Sequence, residues 1–267
     1  MIGQVHLLQF IDKLIADGNF PRFSIVVGSP GSERNKIAGY VADKMSAICA
    51  EVSDCKVDTV RDVIFNSYKV EVPTIYNIID VDSMSLQARN AMLKVTEEPP
   101  NKAYFVMTLD DINNTLPTLK SRGIVFEMEP YSVDDLARYC QKVHKMYISG
   151  LSLFADTPGD VDMLASLDVL KFQSFVEKVA DNIATASGSN AFKIAQSIKM
   201  KDSDETGYDL RMFWKVFCAV CKDKKWFNGL RITSKFLSLL KVKAINKAML
   251  FDKWILDIRE AWVDGNS

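Results

Sequence analysis

The stretch GSPGSERNK, residues 28–36, directly follows the apolar run FSIVV and carries glycines at the spacing of a phosphate-binding loop. That pattern is a glycine, four residues, then Gly-Lys-Ser/Thr, and it cradles phosphates on backbone amides and on the N-terminus of the next helix. Counting from Gly28, with Gly31 inside the loop, the last three positions hold Glu33, Arg34 and Asn35. A working loop has glycine at the first of these, so that the backbone can approach the phosphates. It has lysine at the second to reach the β- and γ-phosphates, and a hydroxyl at the third for Mg²⁺. Glu33 instead sets a negative charge beside the place of a triphosphate, and Arg34 does not replace a lysine one for one. A second acidic element, IIDVDSM (78–84), puts Asp80 where a Mg²⁺-associated carboxylate would lie. The next position, where many ATPases carry the glutamate that polarises the attacking water, is Val81. Asp82 falls one residue further, and strand alternation does not let it take over that role. Two separate parts of a hydrolytic site are thus altered, and tight ATP-Mg²⁺ binding by this loop is not expected.

Such residues need a frame that brings strand ends together. FSIVV (23–27) is short and fully apolar, the pattern of a strand buried on both faces of a parallel sheet. TIYNIID (74–80), AYFVMTL (103–109) and GIVFEME (123–129) are the second, third and fourth predicted strands. Helices are predicted between them over NKIAGYVADKM, over VDTVRDVIFNSY and over LQARNAMLKVTEE, the last stopped by Pro99-Pro100. A helix or turn is expected around LPTLKSR. An opening helix sets Val5, Leu8, Ile11, Leu14 and Ile15 on one face and ends at DGNFP. Strands alternating with helices imply a parallel sheet covered on both faces, with ligands at the C-terminal ends of its strands. From Tyr131 onward only helical periodicity is found, interrupted at TPGD (157–160), ATASGSN (184–190) and KMKDSDETG (199–207). The expected organisation is an α/β domain over 1–130, a small helical domain over 131–169 and a helical C-terminal domain over 170–267.

With 48% hydrophobic and 25% charged residues, the 267-residue chain has the composition of an ordinary globular protein. Its net charge of −1 hides an asymmetry. Residues 1–170 carry 16 Lys and Arg against 23 Asp and Glu, and residues 171–267 carry 17 against 11. Opposite signs suggest different partners, or one part packing on an acidic neighbour. No run approaches the 18 apolar residues of a membrane span, and the N-terminal stretch carries Asp12, Lys13 and Asp17 inside its apolar pattern, unlike a signal peptide. Five cysteines without a secretory signal fit a reducing cytoplasm. Cys218 and Cys221 form a C-x-x-C, but within an apolar helical stripe where they pack as small hydrophobes. His6 and His144 read as surface or packing residues. KVFCAVCKDKKWF and SKFLSLLKVKAINKAML interleave lysines with apolar residues. Two readings stay open for them, a basic surface for DNA phosphates or amphipathic helices with a solvated lysine face.

ARNAMLKVTEEPPNKAYFVMTLDDINNTLPTLKSRG (88–123) resembles the central signature of DNA-polymerase clamp-loader subunits. It is similar to their NALLKTLEEPP helix, their strand ending near Thr-Thr-Asn and their LLPTLLSRC segment. The resemblance reaches more weakly back to the loop at 28–36 and forward to DTPGD, covering about residues 20–165. The type it looks most like is the bacterial delta-prime subunit, the AAA+-fold member whose own nucleotide site is commonly degenerate and which lends an arginine to its neighbour's site. The resemblance implies an AAA+-like parallel sheet with flanking helices, a small helical lid domain and a helical C-terminal collar domain. Ser121 and Arg122 match the first two residues of the family's Ser-Arg-Cys motif, so Arg122 would be an arginine finger for a γ-phosphate held by the adjacent subunit. Gly123 stands in place of the cysteine. Leu109-Asp110 stands where the family has the phosphate-sensing Thr-Asn, with Thr108 kept just before. Asp160, after Pro158-Gly159, stands where active members place a nucleotide-sensing arginine or lysine. Arg89 and Lys94, on the EEPP helix, would face a DNA backbone threading the assembly, or form an exposed helix face. Bacterial relatives often carry a four-cysteine zinc module after the first loop. Only Cys49 and Cys55 stand there, and structural zinc takes four N/S ligands, so no zinc is expected.

The resemblance therefore implies a non-catalytic clamp-loader subunit. Its partners would be clamp-loader ATPase subunits, a delta-type subunit, a sliding clamp and primed DNA, with ATP-Mg²⁺ on the neighbour and no membrane. Two other readings remain open at this level. An active AAA+ ATPase with drifted motifs predicts ATP turnover by the isolated chain, abolished by Asp80→Asn. A stand-alone DNA-binding module predicts duplex binding with a steep salt slope and indifference to Arg122.

Overall fold

The structure is a computed structural model that describes residues 1–148, 151–185, 193, 209–240 and 246–266. The described chain divides into two compact units, Met1–Tyr139 with Asp156–Gly159, and Cys140–Ala155 with Asp160–Ser267.

The first unit is built on five parallel strands, β1 (Phe23–Val27), β2 (Ile48–Val52), β3 (Thr74–Ile78), β4 (Ala103–Leu109) and β5 (Ile124–Glu127), in the order β2-β3-β4-β1-β5. β1 lies between β4 and β5, with Val27 beside Leu109 on one side and Glu127 on the other. The connecting helices are α1 (Val5–Ala16), α2 (Lys36–Met45), α3 (Val57–Ser67), α4 (Leu86–Glu97) and the single turn α5 (Pro117–Lys120). Alternate side chains of a strand point to opposite faces, so the apolar runs must feed two cores. On one face Ile11, Ile37 and Val41 of α1 and α2 pack on Val26, Val106 and Phe126. On the other, Val60, Met92 and Val95 of α3 and α4 pack on Ile25, Tyr76 and Phe105. Each fully buried side chain of this size contributes roughly 1.5–3 kcal/mol of burial free energy.

β2 was not expected from the sequence. It is an edge strand whose Ile48, Cys49 and Glu51 are exposed. With one flank unpaired and most side chains in solvent, ICAEV shows neither a continuous apolar run nor clean alternation.

Among the described residues, the helices beyond β5 include α6 (Val133–Val143), α7 (Leu151–Phe154), α8 (Pro158–Ala165), α9 (Val169–Thr185), α10 (Leu210–Asp223), α11 (Phe227–Leu239) and α12 (Lys247–Asn266). TPGD opens α8 rather than only interrupting the periodicity, because proline suits the first helical position, where no N–H partner is lost. Residues 186–190 of ATASGSN and all of KMKDSDETG lie outside the described residues, as do Lys241 and Lys243.

The second unit has an aromatic core. Trp254 of α12 meets Phe217 edge-on at 4.7 Å between ring centroids and Phe213 at 5.7 Å. Its indole N–H donates to Thr233 Oγ1 at 3.0 Å, and Thr233 in turn donates to the Gly229 carbonyl at 2.8 Å. Asp209 caps α10, its Oδ1 accepting the Met212 N–H at 2.9 Å. Cys221 is buried, and burial pushes its thiol up to about 12. Lys222, Lys224, Lys225, Lys235 and Lys247 are exposed. No helix among the described residues is long and apolar enough to cross a membrane.

Candidate functional site

The loop between β1 and α2 is fixed by backbone contacts at both of its glycines. The Gly28 N–H donates to the Leu109 carbonyl at 3.1 Å, tying the end of β1 to the end of β4. A Cβ at Gly28 would lie 2.5 Å from Ser32 Oγ and 2.6 Å from the Met128 side chain, so only glycine fits. Gly31 has φ +82° and lies back to back with Gly159, whose N–H donates to the Gly31 carbonyl at 2.9 Å. Glu33 also sits in the left-handed region, at φ 61°. The position keeps the conformation a glycine takes freely, at a cost of roughly 1–2 kcal/mol for a residue with a side chain. The Glu33 carboxylate turns back onto Lys36. The Tyr131 hydroxyl donates to the Ser32 carbonyl at 2.8 Å, and burial, then the charge of Glu33, raise its pKa.

Arg34 is buried in the middle of this loop. Its Nη1 donates to the Gly28 carbonyl at 2.9 Å. Its Nη2 lies 2.7 Å from Asp80 Oδ1 and 2.6 Å from Asp110 Oδ1. Asp80 follows β3 and Asp110 follows β4, so the sheet order brings both carboxylates next to the end of β1. Asn35 is engaged as well. Its Oδ1 accepts the Thr108 hydroxyl at 2.8 Å and its carbonyl accepts Asn77 Nδ2 at 2.9 Å. Thr108 Oγ1 accepts the Asp80 N–H at 3.2 Å, closing a chain of bonds from α2 through β4 to β3. Asp82 accepts the Asp110 N–H at 2.7 Å, and Val81 is fully buried in the core.

Arg122 lies elsewhere in the same unit, just after α5. Its Nε donates to Glu97 Oε1 at 2.9 Å, its Nη2 contacts the same oxygen, and its Nη1 donates to the Thr118 carbonyl. Ser121 is exposed, its hydroxyl bonded to the Thr118 carbonyl at 3.1 Å. A Cβ at Gly123 would lie 2.8 Å from the Phe23 ring, which leaves no room for the cysteine of the Ser-Arg-Cys pattern.

Residues 13–132 match the family described as DNA polymerase III, delta subunit. That segment holds the altered loop, both strand-end aspartates and Arg122. Over that segment, a little under half of its length, this chain is similar to the DNA polymerase III delta-subunit family. Two relatives are the DNA polymerase III gamma subunits of Buchnera aphidicola from Schizaphis graminum and from Acyrthosiphon pisum. The first is 23% identical over 175 residues and the second 22% over 173, each covering 54% of this chain and 48% of the relative. The chain thus spans about half the length of these relatives. RuvB of Thermotoga maritima, a Holliday junction branch migration motor, aligns over 99% of this chain and 88% of its own, with a TM-score of 0.52 at 12% identity. A point mutant of RuvB gives 0.54 at 14% identity over 96% of this chain and 88% of its own. At that identity the likeness speaks for the fold alone, which is that of the AAA+ proteins.

Other residues singled out from the delta-subunit resemblance have definite places. Arg89 is half-buried and donates to three carbonyls, those of Met84 at 3.1 Å, Asn114 at 2.6 Å and Asp82 at 3.3 Å. Lys94, on the same helix, is exposed. Asp160 is buried and pairs with Lys215 at 2.7 Å and Arg211 at 3.6 Å, both on α10. Cys49 is exposed, and the Cys55 thiol donates to the Ile79 carbonyl at 3.1 Å. Among the described residues no three His, Cys, Asp or Glu are grouped to hold a metal ion. Sequence reasoning missed Asp110 as a partner of Arg34 and Glu97 as a partner of Arg122. Both carboxylates were in view within the 88–123 signature, but each pair spans a separation in sequence that only the tertiary fold closes.

Proposed function

We propose that this chain is a non-catalytic, delta-prime-type clamp-loader subunit that completes the ATP site of a neighbouring subunit with Arg122. The observation that carries the reading is the Arg34 cluster. A Mg²⁺-nucleotide needs a cation free for its phosphates and a carboxylate free for its metal. Here the Arg34 guanidinium joins Asp80, Asp110 and Gly28, and the Asn35 amide oxygen is taken by Thr108. These side chains do not fit ATP-Mg²⁺ in the chain's own loop, which acts as a structural clasp. Arg122 stands apart from that loop with its guanidinium at the surface, and Ser121-Arg122 matches the family's finger motif.

In this reading residues 1–130 form the AAA+-like body, 131–169 the lid and 170–267 the collar that joins the oligomer. The partners are clamp-loader ATPase subunits, gamma-type chains like the relatives above, with a delta-type subunit, the sliding clamp and primed DNA in a cytoplasmic complex. Any DNA contact on the EEPP helix falls to Lys94, since Arg89 is tied to three carbonyls. The test is DNA- and clamp-stimulated ATP hydrolysis by the complex rebuilt with its ATPase subunit, comparing wild type with Arg122→Ala at matched assembly. A fall of about 10³-fold is expected, the lower end of what an arginine finger supplies. Unchanged turnover in an intact complex would reject the finger.

A further inference from the structure

We infer that Glu97 is the positioning residue for Arg122, an inference that rests on the reading of Arg122 as an arginine finger. Glu97 is the last residue of α4, and the chain turns away at Pro99-Pro100, which sets its carboxylate beside the end of α5. Glu97 Oε1 accepts from both Nε and Nη2 of Arg122, while the Thr118 carbonyl takes one N–H of Nη1.

A guanidinium has five N–H groups, one on Nε and two on each terminal nitrogen. Three are engaged within the chain. The two that remain sit one on Nη1 and one on Nη2, from which they can donate to an oxyanion. Glu97 thus holds the guanidinium from its side and leaves its end open to a phosphate. Without Glu97, the hydrogen bond left to the side chain among the described residues is the one from Nη1 to the Thr118 carbonyl, and the guanidinium is free to swing.

The pair contributes little to folding. The Glu97 side chain is 51% exposed and that of Arg122 28% exposed, and surface pairs of this kind stabilise by at most about 1 kcal/mol. Glu97 can therefore be changed without unfolding the unit, and its effect belongs in the reaction. Orientation matters most where charge develops in the transition state, so its loss lowers kcat and leaves the KM for ATP in place.

The test uses the rebuilt clamp-loader complex, with ATP turnover measured for Glu97→Ala, Glu97→Gln, Arg122→Ala and the double variant at matched assembly and melting temperature. Glu97→Ala is expected to lower kcat about 10-fold with an unchanged KM, a modest part of what a misplaced group can lose. Glu97→Gln keeps an oxygen acceptor for Nε and Nη2 and should recover to within about 3-fold of wild type. Added to Arg122→Ala, the Glu97→Ala change should do nothing further, because its only route is through the arginine. Three results would overturn the inference: no change in kcat on Glu97→Ala, a rise in kcat marking a mask instead of a guide, or an equal fall with and without Arg122. If Arg122→Ala itself leaves turnover unchanged, the finger reading falls first. The two failures are therefore told apart by the single variants alone.

Discussion

Arg34 carries a charge that must be neutralised wherever it is buried. Asp80 and Asp110 supply that neutralisation with the Gly28 carbonyl, and all three groups come from the ends of adjacent strands. A lysine here would offer a point charge without the planar fork that reaches three acceptors at once. Arg34→Ala should leave two carboxylates facing each other without their cation. Complete removal of one partner from a fully buried pair costs about 3–5 kcal/mol, but Asp80 is 55% and Asp110 34% exposed in their side chains. A loss of about 2 kcal/mol is therefore expected, read as a lowered urea midpoint at an unchanged m-value. Arg34→Lys should lose roughly half of that, since charge survives and the fork does not. A midpoint equal to wild type for Arg34→Ala would show that the cluster does not hold the loop.

At the level of elements, α8 illustrates how one tetrapeptide serves two purposes. Pro158 starts the helix and Gly159 lets the chain touch Gly31, where a Cβ would come within 2.6 Å of the Gly31 Cα. Asp160, in the first turn, pairs with Lys215 of α10 with both side chains nearly out of solvent, 4% and 10% exposed. A carboxylate in the first turn is also favoured by the helix dipole. The aspartate at this position, where active relatives of the resembled family place a cation, is thus part of the packing of α8 against α10. Asp160→Ala should destabilise the helical unit by about 2–3 kcal/mol, because Lys215 would stay buried without the Asp160 carboxylate. Thermal unfolding followed by tryptophan fluorescence reads this directly, since Trp214 and Trp254 lie in that unit's core. A shift within error of wild type would mean that Lys215 finds another partner.

Across the whole molecule, several carboxylates titrate below their ordinary range. Asp12 is lowered by the Tyr40 hydroxyl and then Lys44, joining α1 to α2. Asp54 is lowered chiefly by the Lys56 N–H, Asp135 by the Ser132 hydroxyl and Asp168 by Lys171. A carboxylate with a lowered folded pKa adds stability above its unfolded value of about 3.9, and that stability fades as the pH falls through the folded value. These four groups therefore predict a urea midpoint that is flat from pH 7 to about pH 5 and declines below about pH 4. Asp12→Asn should reduce the acid decline while lowering stability at pH 7. A midpoint that rose on acidification would contradict the sign of all four shifts.

Much of this protein was legible in its residues. Apolar runs on four of the five strands, the helices between them and the helical character of the described residues beyond β5 follow from local periodicity, which is a property of neighbours in the chain. The departures at Glu33, Arg34, Asn35 and Val81 were visible because a phosphate loop needs particular residue types at particular spacings. The resemblance over 88–123 pointed to the clamp-loader family. The edge strand β2 was not legible, since a half-solvated strand needs no apolar pattern. What Arg34 does with its charge, and which carboxylate holds Arg122, depended on the order β2-β3-β4-β1-β5 and on the approach of α4 to α5. Arg34 and Asp110 stand 76 residues apart, and Glu97 and Arg122 stand 25 apart. Composition and spacing determine which groups can do chemistry, whereas the partner each group meets is set by which strands and helices the fold brings side by side, a long-range consequence of burying two apolar faces of one sheet.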